Sequence, residues 1–481
     1  MERSDDRIDR ALATLGTTTV SADWVEPSAL RHKSAVRRIW RRGVGIGSVV
    51  IAVVAAATLI PIGLRGNSHS TAESTVTRTV GSAIQLVSHS GNGGPAPTSE
   101  RADAVADSEQ QFSLSLLKQL SASESSPSNI LVSPSSLSTA LAMLELGAEG
   151  DTQEQIADTL GSQNVTPQEQ AAGWSALDAE LEAASAPDGI ALQSANSLWL
   201  QKGLAMNPTF MSSLSRYFAS GVWQVDFASD PAGAVADLNA WVARETHGHI
   251  TTLFGPGAIT NQTALILANA VYFKARWEQP FASSTDDAPF HLPTGNTTSI
   301  PFVHTSANQP INASAFVGSG VDGVQLPYRG GRMAALVLMP TSGSVSEFSA
   351  SLTQARLGQL LSSLAPSSLA LSMPSLSLSS SLDLVSTLQA LGMNDPFDAS
   401  RADFSGMSPT SLVVTDVVQK DTLDVTPWGS EATAATGISM GTAAELPSMT
   451  ITIDHPYLFL IRDTQTGEIL FEAQVVNPAG G

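Results

Sequence analysis

The chain has 481 residues, of which 42% are hydrophobic and 14% charged, and its 44 acidic against 24 basic side chains leave a net charge of −20. Such a surface repels phosphate backbones and argues against nucleic acid as a partner. Cysteine is absent, which removes disulfides, thiolate metal sites, iron–sulfur clusters and cysteine nucleophiles together, while a core of this size needs no disulfide staple and so leaves the compartment open.

Residues 1–42 are polar, with Ile8, Ala11, Leu12 and Leu15 at the spacing of a short amphipathic helix on a tail that could also dock a partner. Gly43 to Leu64 is a run of 22 residues without a charge. At about 1.5 Å per residue it is long enough to span a bilayer core as a transmembrane helix. Arg37, Arg38, Arg41 and Arg42 precede it and only Arg65 follows closely. The positive-inside rule then predicts a cytoplasmic tail over 1–42, a single-pass anchor over 43–64 and an extracytoplasmic remainder. The alternative is a secreted protein whose signal is cleaved at Ala55-Ala56-Ala57. Residues 65–107 are rich in Ser, Thr, Gly and Ala and read as a flexible tether.

From Ser108 the texture is that of one large domain, 108–481. Phe112, Leu116, Leu117 and Leu120 predict a helix, and Ser136 to Leu146 a second one stopped by Gly147. Strand-like runs follow at Ser197–Gln201, Ala264–Phe273, Val324–Leu326, Ala334–Met339, Leu369–Met373, Leu412–Val418, Met449–Ile453 and Tyr457–Ile461, and the last is paired with Ile469–Val476 as a terminal hairpin. Helices concentrate early and strands late, without β–α alternation, which predicts an α+β fold.

Two patterns invite catalytic or metal chemistry. Gly437-Ile438-Ser439-Met440-Gly441 fits a nucleophile elbow, followed by Asp454 and His455. Pro447 interrupts the helix an elbow needs, and adjacent strand residues point to opposite faces, so no catalytic residue is assigned. His247 and His249 lack a third ligand nearby and read as polar residues at a helix end; neither a metal nor a cofactor is called for. Asn261, Asn296 and Asn312 head glycosylation sequons, informative only in a glycosylating host.

A larger pattern runs through about three-quarters of the chain. It includes Asn129-Ile130-Leu131-Val132-Ser133-Pro134-Ser135-Ser136-Leu137, Leu146-Gly147-Ala148-Glu149-Gly150-Asp151-Thr152 and the run from Leu267 to Phe281 around Asn269 and Trp277. Leu326-Pro327-Tyr328, Leu391-Gly392-Met393, Pro396-Phe397, His455-Pro456-Tyr457-Leu458-Phe459 and Val475-Val476-Asn477-Pro478 complete it. In this order and spacing the sequence resembles the serpins, here of a bacterial, membrane-anchored type. The resemblance implies three β-sheets, eight or nine helices and an exposed reactive-centre loop. It implies a monomer in a metastable native state whose partner is a serine protease. The protease cleaves the loop, which inserts as a new central strand while the protease is held as a covalent acyl complex.

The loop from Gly429 to Ala443 can be compared with that requirement. One face, Ser430, Ala432, Ala434, Thr436, Ile438, Met440 and Thr442, begins small and ends apolar; the other, Glu431, Thr433, Ala435, Gly437, Ser439 and Gly441, carries the single charge. Neither face contains proline, so no ladder hydrogen bond is lost. At about 3.3 Å per residue the inserted strand could carry a protease roughly 50 Å. The resemblance places the hinge at Gly429, Ser430, Glu431, Ala432, Thr433, Ala434, Ala435 and Thr436 and the reactive bond at Ala443–Ala444, with Met440, Thr442, Glu445 and Leu446 as neighbouring registers. A small residue there suits elastase-like or subtilisin-like proteases. The sheet-opening region is expected at Ser133, Ser136, Asn269, Gln419 and Trp277. Two positions depart from the family: Pro427 stands where members carry an acidic anchor for the loop base, and Gln419 stands where many carry a histidine. A cleaved but non-inhibitory binding or sensing serpin is the alternative, and a signalling protein whose tail reports cleavage is a third.

Overall fold

The computed structural model describes residues 76–87, 96–123, 128–185, 190–218, 221–282, 285–305, 310–430 and 446–480. The expected tail, the apolar span 43–64 and loop residues 431–445 lie outside them. No helix among the described residues is long and apolar enough to cross a membrane.

Helices gather in the first half: α1 (Ser99–Ser123), α2 (Pro134–Glu145), α3 (Gly150–Leu160), α4 (Pro167–Ser185), α5 (Pro208–Tyr217) and α6 (Pro231–Glu245). The short α7 (Val345–Ser351), α8 (Gln354–Ser363) and α9 (Val385–Ala390) follow. Local chemistry explains their starts. Proline occupies the first turn of α2, α5 and α6, where its missing N–H costs nothing. Asn207 caps α5 by accepting from the Thr209 N–H, and Ser344 with Glu347 forms a capping box on α7. Every residue of α2 is buried, which accounts for its lack of a polar face.

Eight strands form one sheet, in the order β1 (Val76–Val80), β2 (Ala83–Val87), β5 (Val222–Val225), β4 (Ala191–Gln201), β6 (Leu265–Arg276), β14 (Val414–Val425) and β13 (Leu376–Asp383), with the two-residue β15 (Gly429–Ser430) paired to β6. Ten form the second: β3 (Ile130–Val132), β18 (Ile469–Val475), β17 (Tyr457–Asp463), β11 (Met333–Pro340), β10 (Val321–Pro327), β9 (Ile311–Phe316), β12 (Ala365–Pro374), β8 (Thr297–His304) and β7 (Asp286–His291), with β16 (Met449–Thr452) beside β12. The expected strands are present, and β17–β18 is the terminal hairpin.

Two expectations need correction. Among the described residues the three expected sheets are two continuous hydrogen-bonded ladders, because β12 pairs β9 through Ala365–Leu369 and β8 through Ser372–Pro374, joining what would otherwise be separate sheets. The supposed tether 65–107 contains structure. β1 and β2 form a hairpin about Gly81-Ser82 that extends the first sheet beyond β5. Gly81 supplies the positive φ (57°) of the two-residue turn, and Ser82 donates from its N–H and Oγ to Asp237 Oδ2 at 3.0 and 2.6 Å. Likewise α1 begins at Ser99, nine residues before Ser108, since Ala102, Val105 and Ala106 prolong its buried stripe. The Ser/Thr/Gly composition masked both, although a Gly-Ser pair between β-branched runs is a hairpin signal.

Candidate functional site: the seam between two central strands

β6 reads Leu265-Ile266-Leu267-Ala268-Asn269-Ala270-Val271-Tyr272-Phe273 and is buried on both faces, as a central strand covered on two sides should be. It pairs directly with β14, in parallel, from Leu265↔Val414 to Tyr272↔Thr422. No strand intervenes. Its one buried amide, Asn269, is in register with Gln419 of β14.

Around Asn269 the polar groups interlock. Asn269 Nδ2 donates to Ser136 Oγ of α2 at 2.7 Å and also to Asn196 Oδ1 of β4. Ser136 Oγ donates to Asn196 Oδ1 at 2.8 Å and lies 2.7 Å from Ser194 Oγ. Gln419 Nε2 donates to the Ser133 carbonyl at 2.9 Å and to Asp421 Oδ1 at 3.3 Å, while Ser133 Oγ donates to the Leu470 carbonyl at 2.6 Å. Burial holds the Asp421 carboxyl well above the usual carboxylate range, against the opposing hydrogen bonds from Gln419 and the Ser133 N–H. Gln419 thus bridges strand and helix start without titrating, and the titratable group of this region is Asp421, which sequence reasoning passed over. Buried networks of this kind hold two strands in one arrangement and are costly to break piecemeal.

Past Tyr272 and Thr422 the two strands no longer pair, and β15 occupies that end of the seam. Gly429 pairs with Arg276 and Ser430 with Ala275, antiparallel. A Cβ on Gly429 would lie 2.0 Å from the Ala275 carbonyl oxygen, so only glycine allows this approach. Ser430 is fully buried, and its Oγ lies 2.7 Å from the Tyr328 hydroxyl. Trp277 belongs to this end and not to the Asn269 network. It stacks on Tyr328 at 4.5 Å between centroids, and its Nε1 donates to the Thr426 carbonyl at 3.0 Å. The five residues expected to form one sheet-opening region therefore fall into two groups: Ser133, Ser136, Asn269 and Gln419 mid-seam, and Trp277, just past the end of β6, at the open end.

The loop base is held by main chain where the family would use a carboxylate. The Trp277 N–H donates to the Trp428 carbonyl at 3.0 Å and the Phe281 N–H to the Pro427 carbonyl at 2.9 Å. The Thr426 N–H and Oγ1 both donate to the Gly429 carbonyl, at 2.9 and 2.8 Å. Proline at position 427 removes a donor but keeps the acceptor this clamp uses. Of the expected hinge, Gly429 and Ser430 are described; Glu431, Ala432, Thr433, Ala434, Ala435 and Thr436 lie outside the described residues, as do Ala443 and Ala444 and the elbow-like Gly437–Gly441.

The remaining candidates lie elsewhere. Asp454 and His455 sit in the bend between β16 and β17, not in a strand, and pair with each other at 2.6 Å (Oδ1 to Nδ1). The opposite-face argument therefore does not apply to them. His249 stacks on Tyr272 at 3.7 Å after the end of α6.

The family model described as Serpin (serine protease inhibitor) matches residues 107–478. The chain is 33% identical over 362 residues to a leukocyte elastase inhibitor of Bos taurus, covering 73% of this chain and 93% of that protein. It is 31% identical over 384 residues to a serpin-like protein of Thermococcus kodakarensis, covering 78% and 86%. Among solved structures, human thyroxine-binding globulin in complex with thyroxine superposes with a TM-score of 0.71 at 27% identity, over 79% of this chain and 99% of that one. The native thermophilic serpin tengpin does so at 0.70 and 24% identity, over 80% and 96%, a likeness of fold.

Proposed function

The chain belongs to the serpin family of serine protease inhibitors, and from that premise we propose that it inhibits by inserting its cleaved loop between β6 and β14. The observation that carries this is the pair Gly429–Ser430 seated at the open end of the seam, while β6 and β14 pair directly along the rest. Insertion would continue what β15 begins. Each further pair of residues would replace β6–β14 hydrogen bonds with bonds to the new strand on both sides, a net gain of ladder.

The small-residue hinge Glu431 to Thr436, free of proline, suits that path. The reactive bond Ala443–Ala444 and a loop without Lys or Arg favour an elastase-like or subtilisin-like target over a trypsin-like one. The name of the bovine relative, an elastase inhibitor, agrees with this preference. The apolar run 43–64 with its preceding arginines favours a single-pass arrangement with the inhibitor domain extracytoplasmic; a bacterial type and a monomer rest on the family resemblance alone.

The test is to incubate the full chain with an elastase-like protease and run a denaturing gel. A covalent protease–chain band is the expected result. Complete cleavage beside fully active protease would sink the inhibitory mechanism and leave a binding or sensing role. Protease shaving of intact cells, with fractionation, tests the anchor: residues after 64 should be digested from outside, and protection of the domain would overturn the proposed orientation.

A further inference from the structure

Away from the seam, α1, α2, the end of α3 and α4 enclose a pocket of about 260 Å³. Gly173 lets α4 close against α1, since a Cβ there would lie 2.4 Å from Val105 Cγ2. The apolar part of the lining is Ala104, Val105, Leu160 and the half-exposed Val165. The floor is polar. Glu109 of α1, Ser138 of α2, and Gln170 and Trp174 of α4, one helical turn apart, all line the pocket and are all at least 97% buried. Each of the four carries a buried polar atom with no hydrogen-bond partner among the described residues: Glu109 Oε1, Ser138 Oγ, Gln170 Oε1 and Trp174 Nε1.

One such atom is ordinary; four on residues lining a single pocket are a recognition pattern, because each buried unpaired group costs about 1–3 kcal/mol unless something meets it. Three of them accept hydrogen bonds: a carboxyl oxygen, an amide oxygen and a hydroxyl. The ionisable groups nearest Glu109 are themselves buried carboxyls. The carboxyls acting on Glu109 are those of Glu468 and Glu472, and burial with their repulsion raises its pKa well above the ordinary value. The one cation of the pocket wall, Arg101, sits at the rim with Glu169 at 3.5 Å.

We infer that this pocket binds a small amphipathic primary amine, its ammonium group held by Glu109, Gln170 and Ser138 and its apolar part against Val105, Leu160 and Val165. An ammonium has three donors and no acceptor, which matches the three acceptors of the floor, and its charge favours the ionised form of Glu109 that burial alone disfavours. A carboxylate has no donor to offer the three acceptors, and a neutral alcohol would serve fewer of them. The Trp174 N–H, which can only donate, would take an oxygen on the same ligand. The site does not depend on the protease-inhibitor mechanism, although Ser138 lies two residues from Ser136 on the same helix.

Matched probes test this on the full chain: benzylamine, benzyl alcohol and benzoate, each titrated by calorimetry and followed by thermal unfolding. Benzylamine should bind saturably, raise the unfolding temperature and exceed benzyl alcohol by about tenfold in affinity; benzoate should not bind. Glu109→Gln should abolish the amine's advantage and leave benzyl alcohol unchanged. Ala104→Trp, at the exposed rim, should block all three probes without touching the floor, and serves if the Glu109 variant fails to fold. Equal affinity for amine and alcohol in the unmodified chain would overturn the inference, as would benzylamine binding unaffected by Ala104→Trp.

Discussion

The Tyr328 hydroxyl, at the end of β10, lies 2.7 Å from the Ser430 Oγ, and through that contact the first residues of the proposed hinge are docked in the sheet before any cleavage. Tyr328 itself is fixed by stacking on Trp277 and by an edge contact from Phe273 at 5.2 Å. Tyr328→Phe keeps the ring and deletes the bond. It should weaken docking by about 1 kcal/mol. Hydrogen–deuterium exchange over Thr426–Ser430 should then accelerate about fivefold, with no change at Asn269; unchanged exchange would mean that the hydroxyl does not hold the hinge.

Gly429→Ala is a sharper perturbation. Its Cβ would clash with main chain and not with a flexible side chain, so relief requires β15 to leave β6. We expect loss of the Gly429–Arg276 pairing, a stability cost of about 1–3 kcal/mol, and a shift in Trp277 fluorescence as the Thr426 and Trp428 carbonyls move away. A variant with wild-type fluorescence and stability would show that the approach is looser than described.

The mid-seam network predicts a different phenotype. Ser136→Ala removes a hydroxyl bonded to Asn196 and Asn269 and next to Ser194, leaving buried amides short of partners at about 1–3 kcal/mol. The unfolding temperature should fall. If the seam must part for insertion, the loop should also insert spontaneously on mild heating, scored as chain that no longer traps protease. Undiminished trapping after such heating would separate this network from sheet opening.

Stability should also depend on pH. Burial pushes Glu145, Glu468 and Glu472 up to about 8 each. A folded pKa above the unfolded value near 4.5 means that the native state binds more protons between the two. Stability is therefore fully present below about pH 4.5 and is lost as pH rises through about 8. Urea midpoints should decline from pH 5 to pH 9. Glu472→Gln, whose amide oxygen can still accept from Ser113 Oγ, should flatten part of that decline. A midpoint constant across this range would contradict it.

For the loop, Ala434→Arg places a charge on the face that insertion buries. Desolvating an unpaired guanidinium there costs several kcal/mol, so the variant should be cleaved at an unchanged rate while the covalent band disappears. Undiminished inhibition would refute insertion along that face.

Much of this was legible from local pattern. The α+β class, the helix from Phe112 to Leu120, the strand Leu265–Phe273 and the terminal hairpin all follow from periodicities that a few consecutive residues set. The pairing of Asn269 with Gln419 followed only by resemblance. The hairpin Val76–Val87 was hidden because its strands are short and their partner, β5, lies more than a hundred residues on. Pro427-Trp428 reads from the sequence as a missing anchor because it lacks a carboxylate side chain, whereas the clamp uses main-chain carbonyls, which every sequence possesses equally.

By itself, then, the sequence determined which segments become most of the helices and strands, and that a proline-free run of small residues follows Gly429. Those properties belong to neighbouring residues. Only the tertiary structure decided that Ser430 is already inside the sheet, that Trp277 serves the loop base and not the Asn269 network, and that Glu109, Ser138, Gln170 and Trp174 face one pocket. Each of these joins residues from separate elements, and burial, register and unmet hydrogen bonds arise only once those elements have packed.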